Sequence, residues 1–152
     1  MMYKHILVAI DDSETSAKAL DEAIALARLH DAVLEIAHAV DESMLQAFSN
    51  HGVTLVDHGK MQDALLDGGR ETLKTAMETA RAAGLTPRER FLAAEDLHAA
   101  DQIALAVEKS GADLLVVGSH GRRGFRRMLL GSVAENLVRK VHVSVLIVRG
   151  EH

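Results

Sequence analysis

The sequence predicts an α/β protein: an open, Rossmann-like parallel sheet of five strands with helices on both faces. Three observations carry this. Short apolar runs alternate with longer segments of helical period along the whole chain, in the order β-α-β-α-β-α-β-α-β. The joints are short where the pattern is clearest, and strand, helix, strand with short joints makes a parallel pair with a right-handed crossover. The first and fourth runs are apolar enough to lie buried in the middle of such a sheet.

Residues 4–10 (KHILVAI) form the first strand. Asp11, Asp12 and Ser13 make the turn after it, and Asp12 or Ser13 is the N-cap of the first helix. Leu20, Ile24 and Ala27, with Ala23 beside them, draw an apolar stripe along that helix, which ends near His30. Residues 32–39 (AVLEIAHA) form the second strand. Residues 40–60 hold no sustained period and contain Gly52 and Gly59, so a loop or a short irregular helix is expected there. Residues 62–83 return to a helical pattern through Leu66, Leu73, Met77 and Ala80, with Gly84 as a C-terminal stop. Gly68 and Gly69 inside it cost roughly 1 kcal/mol each relative to alanine, which favours a helix that begins after Gly69. Residues 85–94 are the third strand, and their Pro87 suits an edge position. Residues 97–110 are a helix with Ile103 and Val107 inward, ended by Gly111.

The most informative stretch is residues 114–148. It opens with the buried strand LLVV and runs into Gly118, Gly121 and Gly124, with Arg122, Arg123, Arg126 and Arg127 among and after them. Gly131 and Ser132 then lead a helix in which Val133, Leu137 and Val141 recur every fourth residue, and the apolar run from Val143 to Val148 closes the stretch. Strand, glycine-rich loop, helix start is an arrangement suited to a polyanion. Glycine lets backbone approach a ligand closely, and a helix N-terminus offers unpaired N–H groups and the positive end of its dipole. Arginine adds charge and paired donors. Ser132 serves either as N-cap or as a hydroxyl partner for phosphate, and both readings stand.

Neither G-x-x-x-x-G-K-[ST] nor G-x-G-x-x-G is present. The spacing that is present, Gly118, two residues, Gly121, nine residues, Gly131-Ser132, resembles the nucleotide-binding signature of the universal stress protein family, in its ATP-binding branch. The flanks VVGSHGRRG and LLGSVAENLVRK resemble that family too, and the resemblance covers the whole chain. It implies strand order 3-2-1-4-5, the adenine nucleotide alpha hydrolase-like arrangement, with a crevice at the switch point between strands 1 and 4. It further implies that Gly118, His120, Gly121, Gly131, Ser132 and Val133 line triphosphate and ribose. On the same ground Asp11 and Ala9 lie by the nucleoside, Ala39 offers main chain to the adenine edge, and Val117 sits nearby. Arg122, from the loop, is placed to reach phosphates. Many members carry proline where Ala9 and Ser144 stand, and neither change touches the glycine spacing.

Composition narrows the alternatives. A chain of 152 residues, 48% hydrophobic and 26% charged, is expected to be one domain over residues 1–152 with a proper core. With no cysteine there is no disulfide and no thiolate site. The N-terminal apolar run is too short for a signal peptide or a membrane span, so a cytoplasmic location is expected. The net charge of −5 argues against a general nucleic-acid binder. Residues 118–140 carry six basic side chains against one acid, a positive island on an acidic chain that suits a compact anion.

Catalysis finds little support among these residues. His120 lies between two motif glycines, but no orienting partner for a general base is visible in the sequence. The nine histidines include no H-x-x-x-H pair, and no G-x-S-x-G elbow occurs. No catalytic residue and no protein metal site are assigned, and Mg²⁺ is expected to be held through ATP phosphates and water. The functional expectation is an ATP-binding, nucleotide-dependent stress-response module with a protein partner of unknown identity. The resemblance also implies a homodimer formed through residues 143–148, which would cover an apolar edge strand. The rivals are a slow ATPase or phosphotransferase, and a dimeric interaction module without nucleotide.

Overall fold

Ile6, Leu7 and Val8 are all fully buried, although successive residues of a strand face opposite sides of a sheet. That strand must therefore be covered above and below. In the computed structural model, which describes residues 2–41, 55–120 and 130–150, it is the middle of five. The elements run β1 (His5–Ala9), α1 (Glu14–His30), β2 (Val33–Ala39), α2 (Leu55–Ala82), β3 (Arg88–Leu92), α3 (Ala99–Ser110), β4 (Leu114–Gly118), α4 (Ser132–Lys140) and β5 (Ser144–Val148). The sheet order is β3-β2-β1-β4-β5 with every pairing parallel, as expected.

Strand alternation divides the core in two. Ile6, Val8, Leu34, Ile36, Leu114 and Val116 pack with α1 and α2 through residues such as Leu20, Ile24, Leu73 and Met77. Leu7, Ala9, Ala37, Leu115 and Val117 pack on the other face with α3 and α4 through Ile103, Val107 and Leu137. The apolar stripes read from the sequence are these inward faces. One charge interrupts them. Glu35 of β2 is buried, and its carboxylate is paired by the Arg90 guanidinium and approached by His5 Nε2 at 3.3 Å.

Two local expectations are corrected. The second helix does not wait for Gly69: α2 starts at Leu55 and contains Gly59, Gly68 and Gly69, so residues 55–60, expected as loop or a short irregular helix, are part of one long helix. The reason is tertiary. A Cβ on Gly69 would stand 3.0 Å from the His38 ring and 3.1 Å from that of Phe91, so the glycine lets α2 lie closely on β2 and β3. The rest of the segment expected to be irregular, residues 42–54, lies outside the described residues. The third strand is also shorter than residues 85–94: it is Arg88–Leu92, with Pro87 just before it, at a sheet edge as proline suggests. Gly84 and Gly111 end α2 and α3 with φ of 91° and 74°, conformations that favour glycine.

At the bottom of the sheet Asp113 ties β4 to β1. Its carboxylate accepts the N–H groups of Lys4, at 2.9 Å to Oδ2, and His5, at 3.0 Å to Oδ1. Burial pushes this carboxyl up, and hydrogen bonds from the backbone N–H groups of Lys4, His5 and Asp113, with the nearby His5 charge, outweigh that and hold it below its usual value. Among the described residues no helix is long and apolar enough to cross a membrane.

Two outcomes are expected from this packing. Leu137 is fully buried where α4 meets the sheet, so Leu137→Ala should cost about 2–5 kcal/mol in urea unfolding. For Asp113 the depressed folded pKa means a stability contribution present above the unfolded value (about 3.9) and lost as pH falls through the folded value. The stability gap between the parent and Asp113→Asn, followed by urea titration, should therefore be open at pH 7 and close only well into acid.

Candidate functional site

The upper end of the sheet opens where the chain parts in two directions. After β1 it turns to α1 on one face, and after β4 it leads to α4 on the other. Such a switch point leaves a crevice beyond the strand ends. Ala9 is in register with Val117 on one side and Ala37 on the other. Ala9 and Val117 belong to the core layer beneath α3 and α4, and Ala39 and Val133 pack against that layer, half-buried. Four of the residues expected at a nucleotide site are thus gathered on one small-sided wall.

Asp11 stands at the top of β1 in a tight turn. Its N–H donates to Ser16 Oγ at 2.7 Å, and its Oδ1 accepts the Ser13 N–H at 2.8 Å. Ser13, not Asp12, is the N-cap of α1, its hydroxyl accepting the Ser16 N–H. One carboxylate oxygen of Asp11 therefore serves the turn. Gly118 also has a packing role: a Cβ there would stand 2.9 Å from Thr15 Cγ2, so the first turn of α1 rests directly on the end of β4.

Ser119 gathers the ends of the glycine-rich segment. Its N–H donates to the Val148 carbonyl at 2.8 Å and its carbonyl accepts the Gly131 N–H at 2.6 Å. Its buried hydroxyl lies 3.0 Å from His120 Nδ1, an orienting contact that the sequence reading did not supply. Gly121 and Arg122, with Arg123, Gly124, Arg126 and Arg127, lie outside the described residues. Gly131 is the N-cap of α4, with φ −70° and ψ 163° and no side-chain cap bond. Ser132 is consequently the first residue of the helix and not its N-cap. The N–H groups of this first turn have no partner within the helix.

Between the N-termini of α3 and α4 lies a cleft of about 340 Å³, within the usual range for small-molecule sites. Ser132, Val133 and Asn136 of α4 form one wall. Asp41, just past β2, and His98, Ala99 and Ala100 at the start of α3 form the other. Asp41, His98 and Asn136 were not singled out for this site from the sequence. Their one legible signal is position, at a strand end or in a first helical turn. His98 Nδ1 is 3.9 Å from Asp41 Oδ1, and Asn136 Nδ2 donates to the Ser132 carbonyl at 2.9 Å. Both walls thus present a helix N-terminus, and among the described lining residues the one carboxylate, that of Asp41, stands on the α3 side. Among the described residues no group of three or more His, Cys, Asp or Glu is placed to hold a metal ion.

Comparison with known proteins agrees with this architecture. The sequence model of the Universal stress protein family matches residues 2–149. Universal stress protein YxiE of Bacillus subtilis is 34% identical over 151 residues, covering 97% of this chain and 100% of its own. Universal stress protein UspA of Lactobacillus plantarum superposes with a TM-score of 0.80 at 20% identity, covering 98% of this chain and 99% of that one, a likeness of fold. A universal stress protein crystallised in complex with cAMP is 29% identical with a TM-score of 0.66, and the match covers 98% of each chain. The chain belongs to the universal stress protein family.

Proposed function

We propose that this protein binds an adenine nucleotide, ATP with Mg²⁺, in the cleft between α3 and α4, and works as a nucleotide-dependent stress-response module. The observation that carries the reading is the junction at Ser119. The Gly131 N–H bond to its carbonyl brings both ends of the Gly118…Gly131-Ser132 spacing together at an uncapped helix N-terminus, and that helix lines the cleft. The relative solved with cAMP supports an adenine nucleotide as the class of ligand.

In this reading phosphates meet the first-turn N–H groups of Ser132 and Val133, where helix dipole and unpaired donors favour an anion. Ala9, Ala39 and Val117 provide apolar surface for the nucleoside end, with Asp11 close to it. His120, Gly118, Gly121 and Arg122 complete the phosphate side from the glycine-rich segment. Mg²⁺ would neutralise phosphate charge, its ligands being phosphate oxygens and water. β5 is a sheet edge, and its pairing with a second copy would make a homodimer. The cytoplasm is the proposed location.

The test is isothermal titration of nucleotide-free protein with ATP and Mg²⁺, beside Ser132→Asp. An acidic side chain in the first turn of α4 favours the helix by about 0.3–1 kcal/mol. The same charge repels phosphate, by about 1–4 kcal/mol for one unit charge at 4 Å in surface-like surroundings. The parent should bind, and the variant should keep its melting temperature while losing roughly tenfold or more in affinity. Absence of binding by the parent, or equal binding by both, would sink the proposal. Sedimentation equilibrium should give twice the chain mass.

A further inference from the structure

Gln102 of α3 has only 3% of its surface exposed, and its amide is fully used. Its Oε1 accepts the Ala94 N–H at 2.8 Å, and its Nε2 donates to the carbonyls of Val40, at 2.9 Å, and Leu97, at 3.2 Å. The Val40 N–H in turn donates to the Leu92 carbonyl at 2.7 Å. One side chain therefore holds three pieces of backbone: the end of β2, the chain leaving β3, and the turn into α3. Asp41 follows Val40 directly, and His98 follows Leu97. These two residues, with Ala99 and Ala100, form one wall of the cleft among the described residues.

From this geometry we infer that Gln102 is a positioning residue that sets the nucleoside end of the cleft, an inference that rests on the nucleotide reading. Charge decides which end that is. The Asp41 wall also carries a helix N-terminus, that of α3, but there the Asp41 carboxylate opposes an anion. Among the described residues no carboxylate of α4 lines the cleft, so phosphate goes to α4 and the uncharged part of the ligand lies against the wall that Gln102 suspends. Among the described residues none of the hydrogen-bond partners of Gln102 lies in α4, and the ion pair that joins the two helices, Lys140 to Asp101 at 2.7 Å, does not involve Gln102. Disturbing the wall changes how the nucleoside is received and leaves the phosphate end as it was.

The experiment compares two ligands and two variants. Gln102→Glu keeps the shape and the acceptor for Ala94, and it replaces the donor facing two carbonyls by an acceptor. Gln102→Met keeps the length and removes all polarity. Buried carbonyls left without a donor are costly enough that the wall should shift, so ATP affinity should fall roughly tenfold or more in both variants. Affinity for inorganic tripolyphosphate, measured by competition with ATP, should stay within about threefold of the parent, less than 1 kcal/mol. A variant that weakens both ligands alike, or neither, would overturn the positioning role. No ATP binding by the parent would instead remove the nucleotide reading itself. A second readout needs no variant. Hydrogen exchange in the parent should slow on ATP binding at Asp41 and residues 97–100, and tripolyphosphate should leave these amides unchanged. Equal protection by both ligands would also overturn the inference.

Discussion

Burial of β1 on both faces is the constraint on which the rest depends. Ile6 and Val8 need α1 and α2, while Leu7 and Ala9 need α3 and α4, so helices must lie on both sides. A strand with two apolar faces also belongs at the centre, between β2 and β4. Once it is there, the chain leaving β1 and the chain leaving β4 depart to opposite faces. The crevice above their ends is a consequence of that packing.

Small residues then decide what the upper end of the sheet becomes. Ala9, Ala37 and Ala39 leave the wall beneath α3 and α4 low, whereas Leu7 and Leu115 fill the same layer farther down. Gly118 lets Thr15 rest on β4, which pins the start of α1 at the crevice rim. Ser119 secures the other rim: β5, the α4 N-terminus and the His120 ring all meet it within hydrogen-bond distance. With both peptide groups of that residue committed, the entrance to α4 sits on the sheet rather than on the loop before it.

Buried polar groups in this fold are few and are mostly engaged. Glu35 is answered by Arg90, and Gln102 by three backbone groups. Their effects differ in kind. The Glu35 cluster spans β1, β2 and β3 low in the sheet, where a shifted register would strand a buried charge. Gln102 works high in the sheet, on the loops that wall the cleft. Polarity in the lower sheet thus ties the strands together, and polarity at the upper end ties together the backbone that walls the cleft.

By itself the sequence determined the order of elements, their inward faces and the place of the glycine spacing. These are local facts: a period of two or 3.6 residues, or a glycine beside a helix start, is legible wherever the chain goes. The order of the strands was legible only through the family resemblance and not from any period, and the ends of α2 and the wall of the cleft were decided only by tertiary structure. Gly68 and Gly69 read as a late helix start because propensity counts what glycine loses, and it cannot count the close packing against His38 and Phe91 that Gly69 permits. Ser119, Asp41 and Gln102 carried no motif. Residues 41 and 98 lie far apart along the chain, and one amide on α3 ties the backbone beyond β2 to the start of its own helix at the same cleft. A role that consists of joining distant backbone exists only once the chain has folded.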